Sequence, residues 1–190
     1  MRCLKPFLLL ATLSVAACSS APSVAPKPVA APRGSLPSTA QRAEANLAPA
    51  SASLVSGRLA LVPEAGGVHI TGVIGGLQPR QQAAFHVHEN GDCSAVDASS
   101  AGGHFNPAAM PHGRAGTSPH HAGDMDNLQA DAAGVATVDV HLRGVTLGGG
   151  GGQDVAGRAL VVHAGADDYH SQPAGNAGAR VACGVIHVVR

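Results

Sequence analysis

Aromatic side chains are almost missing from this chain of 190 residues, which has no tryptophan, one tyrosine and three phenylalanines. Without stacking platforms or a basic stripe, it offers little for nucleic acid to bind, and no nucleic-acid partner is expected. Any core must be filled by Val, Leu, Ile and Ala instead. Charge is sparse too, with twelve Lys and Arg balanced by twelve Asp and Glu. No helix-length amphipathic pattern appears from residue 54 onward, which points away from a helical fold. The apolar run that starts at Phe7 is too short to span a bilayer comfortably.

What is present begins with a leader. "MRCLKPFLLLATLSVAACSS" has basic Arg2 and Lys5, then an apolar run, then small residues, the pattern of an export signal over residues 1–17. Val15-Ala16-Ala17-Cys18 resembles the bacterial lipoprotein cleavage box, so Cys18 is the expected lipidation site. The expected location is the periplasm or cell envelope, with membrane contact through the N-terminal lipid. Without residues 1–17, ten basic residues face twelve acidic ones, a net charge of about −2. Residues 18–50 are rich in Pro, Ala and Ser and read as a disordered tether, with at most a marginal helix over 39–47. Of four cysteines, Cys3 leaves with the leader and Cys18 takes the lipid. Cys93 and Cys183 remain as the disulfide pair expected in an oxidising compartment.

Residues 51–190 carry the folded domain. Short β-branched or alternating runs recur, among them "SLVSGRLALV", "GGVHITGVIGGL", "QQAAFHVHE", "GVATVDVHLRGV", "GRALVVHAG" and "ARVACGVIHVV". In one of these, Val138, Val140 and Leu142 fall on one face, and Thr137, Asp139 and His141 on the other. The fold class is all-β, a sandwich or barrel. Two loops, at about 90–134 and 164–179, are long enough to suggest a function. The run Gly148–Gly152 reads as a flexible turn.

The eleven histidines matter by placement. His86 and His88 sit two apart on a strand, so alternation puts both imidazoles on one face. The first long loop adds His104, His112, His121 and Asp124. Three imidazoles and a carboxylate complete a tetrahedral zinc site with no open position, and such a site is structural. His163 ends a strand. Together there are enough imidazoles for two sites, and an all-nitrogen site of about four histidines suits copper. His69, His141, His170 and His187 have no partner pattern and read as solvent-facing. Of the doublet His120-His121, the second is paired with Asp124 by spacing and the first is left solvated. Zinc-hydrolase motifs do not fit, because neither "HVHENGD" nor any helix supplies the further histidines they need.

From about Leu54 onward, "FHVHENGDC", "AGGHFNP", "PHGRAGTSPHHAGD", "VVHAGADDY" and "GNAGARVACGVI" resemble the copper/zinc superoxide dismutases of bacterial exported type. The resemblance implies an eight-stranded Greek-key β-barrel, an immunoglobulin-like sandwich with two long functional loops. It implies one copper per subunit on His86, His88, His104 and His163, and one zinc on His104, His112, His121 and Asp124, with His104 shared between them. Asp167 matches the carboxylate that orients His86 and His112, and Arg180 the arginine beside the copper. Cys93 and Cys183 match the family disulfide. The implied reaction turns two superoxide ions into O₂ and hydrogen peroxide, with His104 also releasing copper on reduction and carrying a proton. Ala174 stands where eukaryotic members have a threonine at the channel mouth. The resemblance allows either a monomer or a homodimer. The competing reading is a non-catalytic copper/zinc-binding or metal-carrier module on the same barrel.

Overall fold

A computed structural model describes residues 37–117 and 119–189. The leader, Cys18 and the tether up to residue 36 lie outside the described residues. Nine strand segments follow in order: β1 (Arg42–Pro49), β2 (Ser56–Glu64), β3 (Gly67–Gly75), β4 (Gln82–Ala83), β5 (Phe85–His88), β6 (Leu128–Gln129), β7 (Ala136–Arg143), β8 (Ala159–His163) and β9 (Arg180–Val189). Only Ala84 separates β4 from β5, so the segments amount to the eight strands expected.

Seven of them form one antiparallel sheet in the order β5-β8-β9-β1-β2-β3-β7, and β4 pairs with β6 in a separate ribbon. The large sheet curls into a half-barrel, and the ribbon helps to complete its core. Ala83 of β4 and Leu128 of β6 pack in one cluster with Leu59, Leu61, Ile70, Phe85, Leu160 and Ile186. Small β-branched and aliphatic side chains fill this core in place of aromatics, with Phe85 and Phe105 the only rings of Phe, Tyr or Trp in the cluster. A smaller cluster of Ala50, Ala98, Ala101, Ala159, Val161 and Cys183 seats the loop after β5 against β8 and β9.

Two expectations are corrected. The tether does not run to residue 50, because β1 occupies Arg42–Pro49 in the middle of the sheet, and no helix forms over 39–47. Ala43, Ala45 and Leu47 of β1 point into the core while Arg42 and Asn46 point out, a period of two. Alanine carries little strand propensity, so composition masked this alternation. The glycine run is also held. The buried carboxylate of Asp154 accepts hydrogen bonds from the backbone N–H groups of Gly148, Gly150 and Ala156.

Candidate metal centre

The site grows from β5. All four of its residues are buried; Val87 packs into the core, and His86 and His88 face the other way. As an edge strand, β5 has one side free of the large sheet. The first long loop fills that side. Val87 N–H donates to the Gly123 carbonyl at 2.9 Å, and Phe105 N–H donates to the Val87 carbonyl at 2.8 Å. In register terms His88 pairs with His104 and His86 with Asp124. The loop's two ends are therefore laid against the strand that carries the first two histidines. Gly123 permits this approach, because a Cβ there would lie 2.3 Å from the Val87 carbonyl oxygen.

Two donor sets result, and all their members are buried: His86, His88, His104 and His163, and then His104, His112, His121 and Asp124. His104 belongs to both. Nε2 of His88 lies 3.4 Å from Nε2 of His163. Nδ1 of His121 lies 3.3 Å from Nδ1 of His104 and 3.2 Å from Oδ1 of Asp124. Nδ1 of His112 is 3.1 Å from that same oxygen. Metal–ligand bonds of about 2.0–2.1 Å in a tetrahedron put donors about 3.3 Å apart. These separations are the edges of such a polyhedron.

The lone pairs fit as well. Nδ1 of His86, Nε2 of His104 and Nδ1 of His112 are buried and have no hydrogen-bond partner in the protein. Buried polar atoms left so are rare and destabilising, and a metal that accepts each lone pair removes the deficit. The opposite nitrogens are occupied. Nε2 of His86 donates to Oδ2 of Asp167, and Nε2 of His112 to Oδ1 of the same carboxylate, both at 2.9 Å. Nδ1 of His88 donates to the Gly102 carbonyl at 3.0 Å. Each tautomer is thereby set so that the free nitrogen points at the metal position.

Burial also keeps the ligands in their binding form. Desolvation lowers His86 to about 4 and His163 to about 3 against hydrogen bonds that favour the charged ring, and it pushes His88 and His121 down as well. Burial works the other way on Asp124 and Asp167 by raising them. Hydrogen bonds from His104 and from the N–H groups of His121 and Gly113 outweigh it for Asp124. Bonds from His86, Tyr169 N–H and His112 bring Asp167 to about 2. Neutral imidazoles and ionised carboxylates are the forms that bind metal.

All of the sequence-assigned ligands meet here. His120 does not join them, and its Nδ1 turns to the carbonyl of His121. Cys93 and Cys183 are bonded, with an S–S distance of 2.03 Å. Arg180 donates to the Ala98 carbonyl at 2.7 Å and to that of Gly102 at 2.6 Å, so the loop pinned by the disulfide holds the guanidinium. Arg180, His163 and Ala174 line one open pocket of about 320 Å³. Burial draws the arginine's pKa down, and Asp97 partly restores it.

Sequence reasoning missed the residues that support this frame. Asn127 exchanges two hydrogen bonds with the backbone of Asp167, at 2.8 and 2.9 Å. Gln172 does the same for the backbone of His112, again at 2.8 and 2.9 Å. Gly175 leaves room for Asp167, since a Cβ there would fall 1.8 Å from Oδ1. His69 and His141, expected to lack partners, are in fact bonded to Asp139 and Glu64.

Comparison with known proteins agrees with this geometry. The profile of the copper/zinc superoxide dismutase (SODC) family matches residues 55–186. Superoxide dismutase [Cu-Zn] 2 of Aquifex aeolicus is 45% identical over 135 residues, 70% of this chain and 79% of the relative. Superoxide dismutase [Cu-Zn] of Caulobacter vibrioides is 47% identical over 116 residues, 58% of this chain and 66% of the relative. The crystal structure of the clock protein EA4 superposes with a TM-score of 0.70 at 38% identity, covering 80% of this chain and 97% of that one. With both donor sets complete and joined through His104, this chain belongs to the copper/zinc superoxide dismutases.

Proposed function

We propose that this superoxide dismutase works outside the cytoplasm, tethered to a membrane of the cell envelope through Cys18, with Arg180 guiding superoxide to the copper and Asp167 positioning ligands of both metals. The observation that carries the catalytic reading is the complete copper set of four buried imidazoles beside a pocket that contains Arg180. Copper held by these four imidazoles would supply the one-electron redox chemistry by which two superoxide ions become O₂ and peroxide.

The chain's own residues do the rest. A guanidinium cannot lose its charge under physiological conditions, and in a narrow pocket its field is focused on an incoming anion. The carbonyls of Ala98 and Gly102 hold it in place without neutralising it. Peroxide leaves as H₂O₂, so two protons must arrive. Nε2 of His104, among the copper ligands and without a hydrogen-bond partner in the protein, is the atom placed to hold one of them. Asp167 ties His86 of the copper set to His112 of the zinc set, so neither can turn alone. The leader, the lipoprotein-like Val15-Ala16-Ala17-Cys18 and a disulfide that suits an oxidising compartment support the location.

The test loads the whole chain with copper and zinc and measures dismutation beside His86→Ala and Arg180→Ala. Activity should vanish with the first. The second should lower kcat/KM by at least about tenfold and flatten its dependence on ionic strength. An inactive but fully copper-loaded wild type would leave the non-catalytic metal-binding module as the reading. For the location, cell fractionation should find wild type with membranes and Cys18→Ala in the soluble fraction outside the cytoplasm.

A further inference from the structure

Outside the two buried donor sets, the solvent face of the sheet carries a second kind of histidine cluster. His69 of β3 and His141 of β7 are direct cross-strand partners. Their rings stack with centroids 4.2 Å apart and planes within 6° of parallel. Each ring nitrogen that faces a carboxylate is in hydrogen-bond contact with it. Nε2 of His69 lies 2.6 Å from Oδ1 of Asp139, and Nδ1 of His141 lies 2.9 Å from Oε2 of Glu64. One donor atom from each of His69, Asp139 and His141 lies within 4.8 Å of the others. The catalytic reading uses none of these residues.

We propose that His69, His141 and Asp139 form a third metal site, an exchangeable surface site for a divalent ion of the zinc or copper(II) class. Two imidazoles and a carboxylate are the mixed nitrogen and oxygen donors such ions favour, and three protein ligands leave a position for water. Glu64 plays the part that Asp167 plays in the buried centre. By accepting from Nδ1 of His141 it sets the tautomer and frees Nε2 as a ligand.

The strand register makes the arrangement durable. Cross-strand partners on a sheet face keep their Cβ atoms about 5 Å apart whatever the surface side chains do. Asp139 sits two residues before His141 on the same face of β7, and Glu64 ends β2 beside β3. The ligands come from the edge strand β7 and its neighbour β3, so an ion bound here would link these two strands. Asp139 and His141 also line an open cleft of about 670 Å³ shared with His120 and Ala122 of the zinc loop.

The experiment uses the full chain already carrying its copper and zinc. Equilibrium dialysis against zinc at micromolar concentrations, followed by metal analysis, should find about one ion per chain beyond those two. His69→Gln with His141→Gln should remove it and leave dismutase activity unchanged. His187→Gln, which alters an exposed histidine of β9, should keep it. In wild type, the imidazole ¹⁵N resonances of His69 and His141 should shift as that further equivalent is added. No further zinc in the wild type, equal retention by the double variant, or unshifted resonances would each overturn the proposal.

Discussion

Asp167 presents one carboxylate oxygen to His86 and the other to His112, and Gly175 stands against it with no side chain. The backbone of Gly175 has φ +67°, a conformation that glycine adopts freely and alanine does not. Gly175→Ala is therefore expected to drive Asp167 away and release both histidines from their set tautomers. Asp167→Asn keeps the shape but can no longer accept from both rings as an anion. Each should weaken copper and zinc binding by about 10–100-fold in chelator competition. Retention of both metals at wild-type affinity would mean that packing alone orients the rings. The ligands themselves were legible, because strand alternation at His86 and His88 and the loop spacing up to Asp124 suit a metal centre and little else. The sharing of His104 between the two metals, the role of Asp167 and that of Arg180 were legible only through family resemblance. Asn127 and Gln172 were not legible at all, because an amide that clamps another segment's backbone leaves no mark in local spacing.

The first long loop has little core of its own, and three kinds of bond order it. Zinc ligands gather its middle, backbone bonds to Val87 hold its two arms, and the disulfide fixes its start. The choice within the doublet gives a direct test. His121→Ala should speed backbone hydrogen exchange across residues 104–124 in the metal-loaded protein, and His120→Ala should not, because His120 only meets the His121 carbonyl. Equal acceleration would remove His121 from the zinc set. The disulfide joins residues 90 apart, and loop entropy assigns it about 4–5 kcal/mol. Cys93→Ser with Cys183→Ser should lower stability by up to that amount in urea titration. It should also lower kcat/KM more than it lowers metal content, because the carbonyls that hold Arg180 lie in the freed segment. Full activity at full metal load would show that Arg180 needs no such support. Sequence spacing showed where this loop was and which residues bind in it. Its attachment to the free edge of β5 emerged only with the sheet order.

At the scale of the whole molecule, a core almost without aromatics and a cluster of buried histidines lie on opposite faces of β5. The same scarcity of large residues hid β1, whose inward side chains are two alanines and a leucine, although it is a central strand. Joining the histidine cluster to the core makes stability depend on pH once the metals are removed. His86 and His163 each titrate near the ordinary 6.5 in an unfolded chain, but burial holds them neutral down to about 4 and about 3. Between pH 6.5 and those values the unfolded chain binds protons that the folded chain refuses. Folding stability therefore falls as the pH falls, by about 2 kcal/mol per histidine from pH 7 to pH 5. The depressed carboxyl of Asp167 acts in the same direction in a lower window. Its contribution is complete above the unfolded value of 3.8 and is lost as the pH falls toward about 2. Urea midpoints of the metal-free chain should accordingly drop between pH 7 and pH 5 and drop again below pH 4. The metal-loaded chain should hold its midpoint at pH 5, since protons must first displace copper and zinc from the rings. A metal-free chain equally stable at pH 7 and pH 5 would show that these imidazoles are not kept neutral by the fold, and the burial argument for their readiness to bind metal would fail with it.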